Sequence, residues 1–223
     1  MNAPSTKPRV HLDSGLSIGY GKSLARISGN GDGILLEEGT HYLLARNGRG
    51  KTTLLKTLAG VIKPLDGGYQ CVGRCQYLSE DLTFDRELPA KAIFKALLKK
   101  SKYAEAINLA KTVELDVVKP YGKLSTGNKR KVSLLVAEFS ICDEGLDVLL
   151  LDEPFTGLDA FSREAFQQRW DNCQDGVLRL VSCHPDFDSM KVKSSVLIAD
   201  GVIKQAGGET GDQSWGVIKS QLN

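Results

Sequence analysis

A lysine and a threonine closing a glycine loop, Lys51 and Thr52, and a carboxylate pair closing an apolar run, Asp152 and Glu153, equip this sequence to handle a phosphoanhydride. Ala45 through Thr52 reads ARNGRGKT, which fits the pattern GxxxxGK followed by Ser or Thr at every fixed position except the first. Small residues at Gly48 and Gly50 let backbone N–H groups wrap an anion, and a helix opening next aims its positive end at the same point. Asn47, Gly48, Arg49, Gly50, Lys51, Thr52 and Thr53 are the expected phosphate-binding residues. Lys51 would reach the β- and γ-phosphates of a nucleotide, and the Thr52 hydroxyl would ligate Mg2+. Ala45 stands where the pattern has glycine; a Cβ is expected to be tolerated there, because Gly48 and Gly50 occupy the more crowded turn.

Leu149, Leu150 and Leu151 run into Asp152 and Glu153. An apolar strand beside a phosphate loop presents an Asp at its carboxyl end to hold Mg2+, usually through water, and Asp152 fits that role. Glu153 is placed to polarise the attacking water, as general base or as orienting acceptor. Carboxylates after a strand also cap helices, but Pro154 favours a sharp turn instead. Between loop and strand lies LSTGN, Leu124 to Asn128, where Ser125 supplies a hydroxyl and Gly127 a close backbone approach. The helix after Asn128 can direct its N-terminus at a γ-phosphate. Lys129, Arg130 and Lys131 follow; they can reinforce that field, although a basic run near a helix start is more often a solvated face.

Positioning these groups takes strands and helices in alternation. From Val10 to about Leu44 short β-type runs, GLSIGY, GILLE and THYLLA, are punctuated by Gly29 to Gly33 and by Gly39. Thr52 through Leu58 are helix-compatible and end at Gly60 and Pro64, so strand, loop and helix follow in the order a phosphate loop requires. Between Leu88 and Val118 apolar residues recur at helical spacing with lysines between, an amphipathic helical insert. Lys129 through Ser140 predicts a further helix, and DVLLLDE a fully buried parallel strand, with VLRLVSC and SSVLIAD as two more. The first nine residues read as a loose tail, and the last 20 or so are polar and turn-rich.

Composition narrows the function classes. The 223 residues suffice for one α/β domain with an inserted subdomain, and a formal net charge of +2 is not the basic footprint of a dedicated nucleic-acid binder. No run approaches the roughly 20 apolar residues that span a bilayer, and MNAPSTKPR lacks a secretory apolar core, so a cytosolic chain is expected. Cys71, Cys75, Cys142, Cys173 and Cys183 form no framework; Cys71 and Cys75 lack the second pair that a zinc site requires.

In this order, from about Tyr20 to Gly201, the motifs resemble those of ATP-binding-cassette (ABC) ATPases, the nucleotide-binding subunits of transporters. The resemblance implies a P-loop NTPase (RecA-like) core with an N-terminal antiparallel β subdomain and an inserted α-helical subdomain. It divides the chain into a tail over 1–9, a core over 10–80 and 148–223, and a helical subdomain over 81–147 that holds LSTGN. Tyr20, 25 positions before Ala45, matches the aromatic that stacks on adenine, though an ordinary strand tyrosine is the alternative. Leu158 and Asp159 in FTGLDA resemble the loop that communicates across the dimer, and His184 in VSCHP the switch histidine on the γ-phosphate. Glu80 in QYLSED stands for the family's usual glutamine approaching Mg2+, with Gln76 as rival; Glu80 is preferred, because such linkers lie in loops. Thr126 and Asn128 replace the commoner Gly and Gln of the signature.

What the resemblance implies is a paired machine. Two copies, or two paired ABC subunits, bind Mg-ATP at their interface, and Ser125, Gly127 and Asn128 of one complete the site formed by Lys51, Thr52, Asp152, Glu153 and His184 of the other. A transmembrane permease would receive the energy through the Glu80 loop and the helical insert, which places the chain on the cytoplasmic face of the membrane. The compact insert and the TGNKRK and GLD wording are most similar to export-type ATPases. An ABC ATPase of DNA repair or translation, or a regulatory nucleotide-binding subunit, is the alternative; the about 44 residues from Glu80 to Leu124 carry no sustained heptad, and only one cassette is present.

Overall fold

The computed structural model describes residues 7–27, 31–141, 147–183, 191–206 and 213–214. Its chain divides into two units, Met1–Tyr77 with Gly145–Glu153 and Asp175–Asn223, and Leu78–Glu144 with Pro154–Gln174.

In the first unit, alternation makes a small antiparallel sheet. Val10 and Leu12 are fully buried on β1 (Arg9–Leu12), which pairs with β4 (Ile34–Leu36) on one side and β6 (Tyr69–Val72) on the other. β1 begins at Arg9, inside the stretch expected as tail; that residue is ordered by the ladder it makes with Val72. Among the described residues the larger sheet has eight strands: β2 (Ser17–Gly19), β3 (Ser23–Ile27), β5 (Gly39–Ala45), β7 (Arg74–Leu78), β8 (Asp147–Leu151), β9 (Leu178–Cys183), β11 (Ser195–Ala199) and β12 (Val202–Ala206). Their order is β2, β3, β12, β11, β5, β9, β8, β7, and the run from β11 to β8 is parallel. Every residue of β8 and β9 is buried, Asp147, Arg179 and Ser182 included, as expected of strands covered on both faces. β10 (Lys191–Val192) and β13 (Gln213–Ser214) pair separately.

The strand ending at Asp152 is not beside the phosphate-loop strand, because β9 lies between β5 and β8, with Leu43 opposite Ser182 and Leu151 opposite Val181. A later crossover inserted that strand, which a linear reading does not reveal. Helix α1 (Lys51–Leu58) packs Leu54, Leu55 and Leu58 into the core with Ile18, Val148, Leu150 and Ile198. It stops where Gly60 takes φ 70 and donates its N–H to Thr57 O.

The second unit is helical. The amphipathic insert is two helices, α2 (Ala90–Leu97) and α3 (Lys100–Thr112), separated by the extended residues Leu98 (ψ 150) and Lys99 (ψ 144). A single 3-10 turn, Tyr121–Lys123, leads to α4 (Thr126–Phe139). Helix α5 (Ala160–Asn172) was not legible in the sequence: it buries only Ser162, Phe166 and Trp170, too sparse a stripe to register. Its capping signal was present, for Asp159 Oδ1 accepts the Ser162 N–H at 2.7 Å. Fully buried Glu138 of α4 receives Arg169 Nε and Trp170 Nε1, each at 3.0 Å, so that carboxylate is satisfied by α5.

Candidate functional site

The site in the first unit starts at the end of β5. Ala45 is a completely buried strand residue outside the left-handed region, so its Cβ is accommodated as expected. The reason differs from the expected one. Gly48 takes φ 72 and Gly50 φ 107, yet an added Cβ would meet nothing within 4 Å at Gly48 and only ordinary contacts, from 3.5 Å, at Gly50. The turn requires glycine for its dihedrals and not for crowding. Arg46 to Arg49 are exposed, Arg49 N–H closes the turn on Arg46 O at 3.2 Å, and Gly50 caps α1 with no side-chain bond. The first N–H groups of α1 thus face the loop without a side-chain acceptor, the arrangement that attracts a phosphate.

Four of the expected site side chains then meet. Lys51, 7% exposed, donates to Ala45 O at 3.2 Å and lies 3.1 Å from Glu153 Oε1. Thr52 Oγ1 donates to Asp152 Oδ1 at 3.2 Å. Asp152, 1% exposed, also accepts from Ser182 Oγ at 3.0 Å and, through Oδ2, from Tyr77 OH at 2.9 Å. Ser182 Oγ in turn accepts the Glu153 N–H at 2.7 Å, so one hydroxyl spends its proton on Asp152 and a lone pair on the next peptide. That second bond matters because Glu153 holds φ 46, a left-handed conformation that costs a side-chain-bearing residue about 1–3 kcal/mol. It turns the chain sharply, as Pro154 suggested.

Thr52 Oγ1 and Asp152 Oδ1 form a pair of hard oxygens suited to Mg2+, which takes few protein ligands and completes its shell with water and phosphate. Among the described residues, no group of three or more His, Cys, Asp or Glu is placed to hold a metal ion. Ser182 and Tyr77 escaped the sequence reading. The signal for Ser182 was a hydroxyl near the end of VLRLVSC, a run whose other polar side chain is Arg179, and Tyr77 directly precedes the Leu78 that leads to Glu80.

The other expected residues fall as follows. Tyr20, just after β2, is 61% exposed, and Thr53 is buried on α1. Gln76 lies in β7 with its amide 3.4 Å from Asp147 Oδ1, at the start of β8. Glu80 is an exposed turn residue of the second unit. His184 lies outside the described residues.

Ser125, Gly127 and Asn128 belong to the second unit. Ser125 caps α4, accepting the Asn128 N–H at 3.2 Å. A Cβ on Gly127 would collide with the Gly157 carbonyl oxygen, so glycine is required there by the chain itself. The basic run that follows is not a solvated face: Arg130 is 7% and Lys131 5% exposed. Arg130 Nη1 donates to Ser79 O at 3.2 Å and Glu80 O at 3.3 Å, Lys131 Nζ donates to Val113 O at 2.7 Å, and Lys129 sits over the Tyr121 ring. Carbonyl acceptors gathered from distant loops outweighed solvation, and no local pattern announces them.

Residues 34–156 match the family model described as ABC transporter. The chain is 32% identical over 157 residues to the cytochrome c biogenesis ATP-binding export protein CcmA of Zymomonas mobilis, an alignment covering 66% of this chain and 67% of that one. It is 35% identical over 126 residues to an uncharacterised ABC transporter ATP-binding protein of Methanocaldococcus jannaschii, covering 52% of this chain and 46% of the relative; the match thus spans about half of that protein's length. The solved structure of an ATP-binding subunit of an ABC transporter superposes with a TM-score of 0.66 over 96% of this chain and 92% of that chain. At 19% identity this likeness concerns the fold, an α/β P-loop NTPase.

Proposed function

We propose that this chain, which belongs to the ABC transporter family of ATP-binding proteins, hydrolyses Mg-ATP at an interface between two cassettes and drives a membrane partner. The observation that carries the proposal is the double pairing of Lys51 with Glu153 at 3.1 Å and of Thr52 with Asp152 at 3.2 Å. One pair is the cation and base of phosphoryl transfer to water, the other a cradle for Mg2+.

On ATP binding, Lys51 exchanges the Glu153 carboxylate for the β- and γ-phosphate oxygens. Glu153 is then free to accept the proton of a water attacking the γ-phosphorus, while its left-handed backbone, fixed by Ser182, fixes where the carboxylate starts. Thr52 and Asp152 would hold Mg2+, which neutralises charge on the phosphate oxygens. Tyr20 stacks on adenine, Asn47 to Thr53 bind the phosphates, and His184 contacts the γ-phosphate. The second copy contributes Ser125, Gly127 and Asn128 at the start of its α4, where helix N–H groups favour an anion. Glu80 and the helical subdomain, 81–147, pass the change to a permease, so the chain sits peripherally on the membrane. Among the described residues no helix is long and apolar enough to cross it. Export is the proposed direction, in line with the name of the Zymomonas mobilis relative.

Detergent purification of the tagged chain from the membranes of its own organism tests this reading. An integral membrane subunit that co-elutes and raises ATP turnover is the expected result. Co-elution with ribosomal or DNA-repair components instead would move the chain to a non-transport role.

A further inference from the structure

We propose that Lys131 is a positioning residue that locks the LSTGN turn to the FTGLDA loop of the same chain, so that the two are presented to the partner copy as one body; this rests on the composite site proposed above. Lys131 has 6% of its side chain exposed, and its Nζ is shared between Val113 O at 2.7 Å and Asp159 Oδ2 at 3.0 Å. A lysine near a helix start ordinarily reaches water. Burying its ammonium costs desolvation and rotamer entropy, which only fixed acceptors offset.

Those acceptors have a consequence. Asp159 caps α5 through the Ser162 N–H at 2.7 Å and accepts the Ser162 hydroxyl at 2.9 Å, so its carboxylate cannot swing without uncapping that helix. The Ser162 N–H, with Lys131 and the Ser162 hydroxyl, holds the carboxyl well below the usual range, which favours the charged partner for Lys131. One turn back along α4, on the same face, Gly127 abuts the Gly157 carbonyl oxygen with no room for a Cβ. The contacts 127 to 157 and 131 to 159 are two points of attachment between one helix and one loop, and two points fix an orientation where one leaves a pivot. In sequence, Asp159 is six residues beyond Glu153. The signature a copy offers its partner is therefore tied, through Lys131, to the segment leaving that copy's own catalytic carboxylate.

The test uses the full chain carrying Glu153→Gln, with ATP-dependent dimerisation followed by sedimentation and monomer nucleotide affinity by trinitrophenyl-ATP fluorescence. Lys131→Met and Asp159→Asn, which keeps a capping side chain, should each raise the protein concentration for half-dimerisation about tenfold, and Lys131→Arg should stay within about threefold of the parent. Monomer affinity should hold within about twofold, since the phosphate loop is untouched. A midpoint unchanged in both variants, or a matching loss of monomer affinity, would overturn the inference while leaving the composite site standing. Failure of the Glu153→Gln parent itself to dimerise with ATP would overturn the composite site, and this inference with it.

Discussion

Lys51 Nζ and Glu153 Oε1 stand 3.1 Å apart in a largely buried ion pair that joins the end of the phosphate loop to the second residue after β8. A nucleotide must part them before Lys51 can reach a phosphate. Glu153→Gln removes the competing charge, and the variant should bind ATP more tightly than the parent as a monomer, by about fivefold or roughly 1 kcal/mol. Titration calorimetry with a slowly hydrolysed ATP analogue measures it; equal or weaker binding would show that the pair does not compete with phosphate.

Ser182 serves Asp152 and the Glu153 N–H together, at 3.0 and 2.7 Å. Ser182→Ala leaves a buried carboxylate one donor short and a strained peptide without its anchor, for a stability loss of about 1–3 kcal/mol. Denaturant unfolding reads that loss. Turnover per folded molecule should fall as well, and a variant that is destabilised yet fully active would confine Ser182 to folding.

The backbone of Glu153 allows a separate check. At φ 46 a Cβ is strained, so Glu153→Gly should be more stable than Glu153→Ala by about 1 kcal/mol, the reverse of the usual order in regular structure. Comparing the two melting curves decides it. Alanine equal to or above glycine would mean that the conformation carries no strain.

His41 gives the fold a pH dependence. Its buried ring donates Nε2–H to Glu37 O at 2.7 Å, and Nδ1 shares a hydrogen bond with Ser194 Oγ at 2.8 Å. Burial pushes its pKa below the ordinary 6.5, against the weaker pull of Glu37. The unfolded chain therefore binds a proton that the folded chain refuses, and this contribution, complete above 6.5, is lost as pH falls through the folded value. Unfolding free energy should decline on acidification below 6.5, and His41→Gln should flatten that slope. An unchanged slope would assign the effect to other groups.

Much of this was legible because local chemistry dictated it. ARNGRGKT needs only its own backbone to make the loop, and the apolar runs of β5, β8, β9 and β11 cannot be solvated. Hidden features were those made by contacts remote in sequence. That β9 separates β5 from β8 depends on crossover order, and Ser182 becomes important only once that order sets it against Asp152. Arg130 and Lys131 read as a surface run because Ser79, Val113 and Asp159 lie 18 to 51 positions away along the chain, where no periodicity reaches. The crowding expected at Gly48 was a dihedral requirement, which composition does not distinguish from a steric one.

The structure also changes how the shared site should be probed. Gly127→Asp would strike Gly157 within its own chain, so its inactivity would say nothing about an interface. Ser125→Asp preserves an N-cap while placing charge where a γ-phosphate would dock.

The most direct measurement mixes two disabled chains. Lys51→Ala and Ser125→Asp should each hydrolyse almost no ATP alone. Combined in equal amounts, they should recover about a quarter of the parent rate, because the mixed dimer has one site with an intact Lys51 and an intact Ser125 from different copies. A mixture as inactive as its components would contradict a site built from two chains.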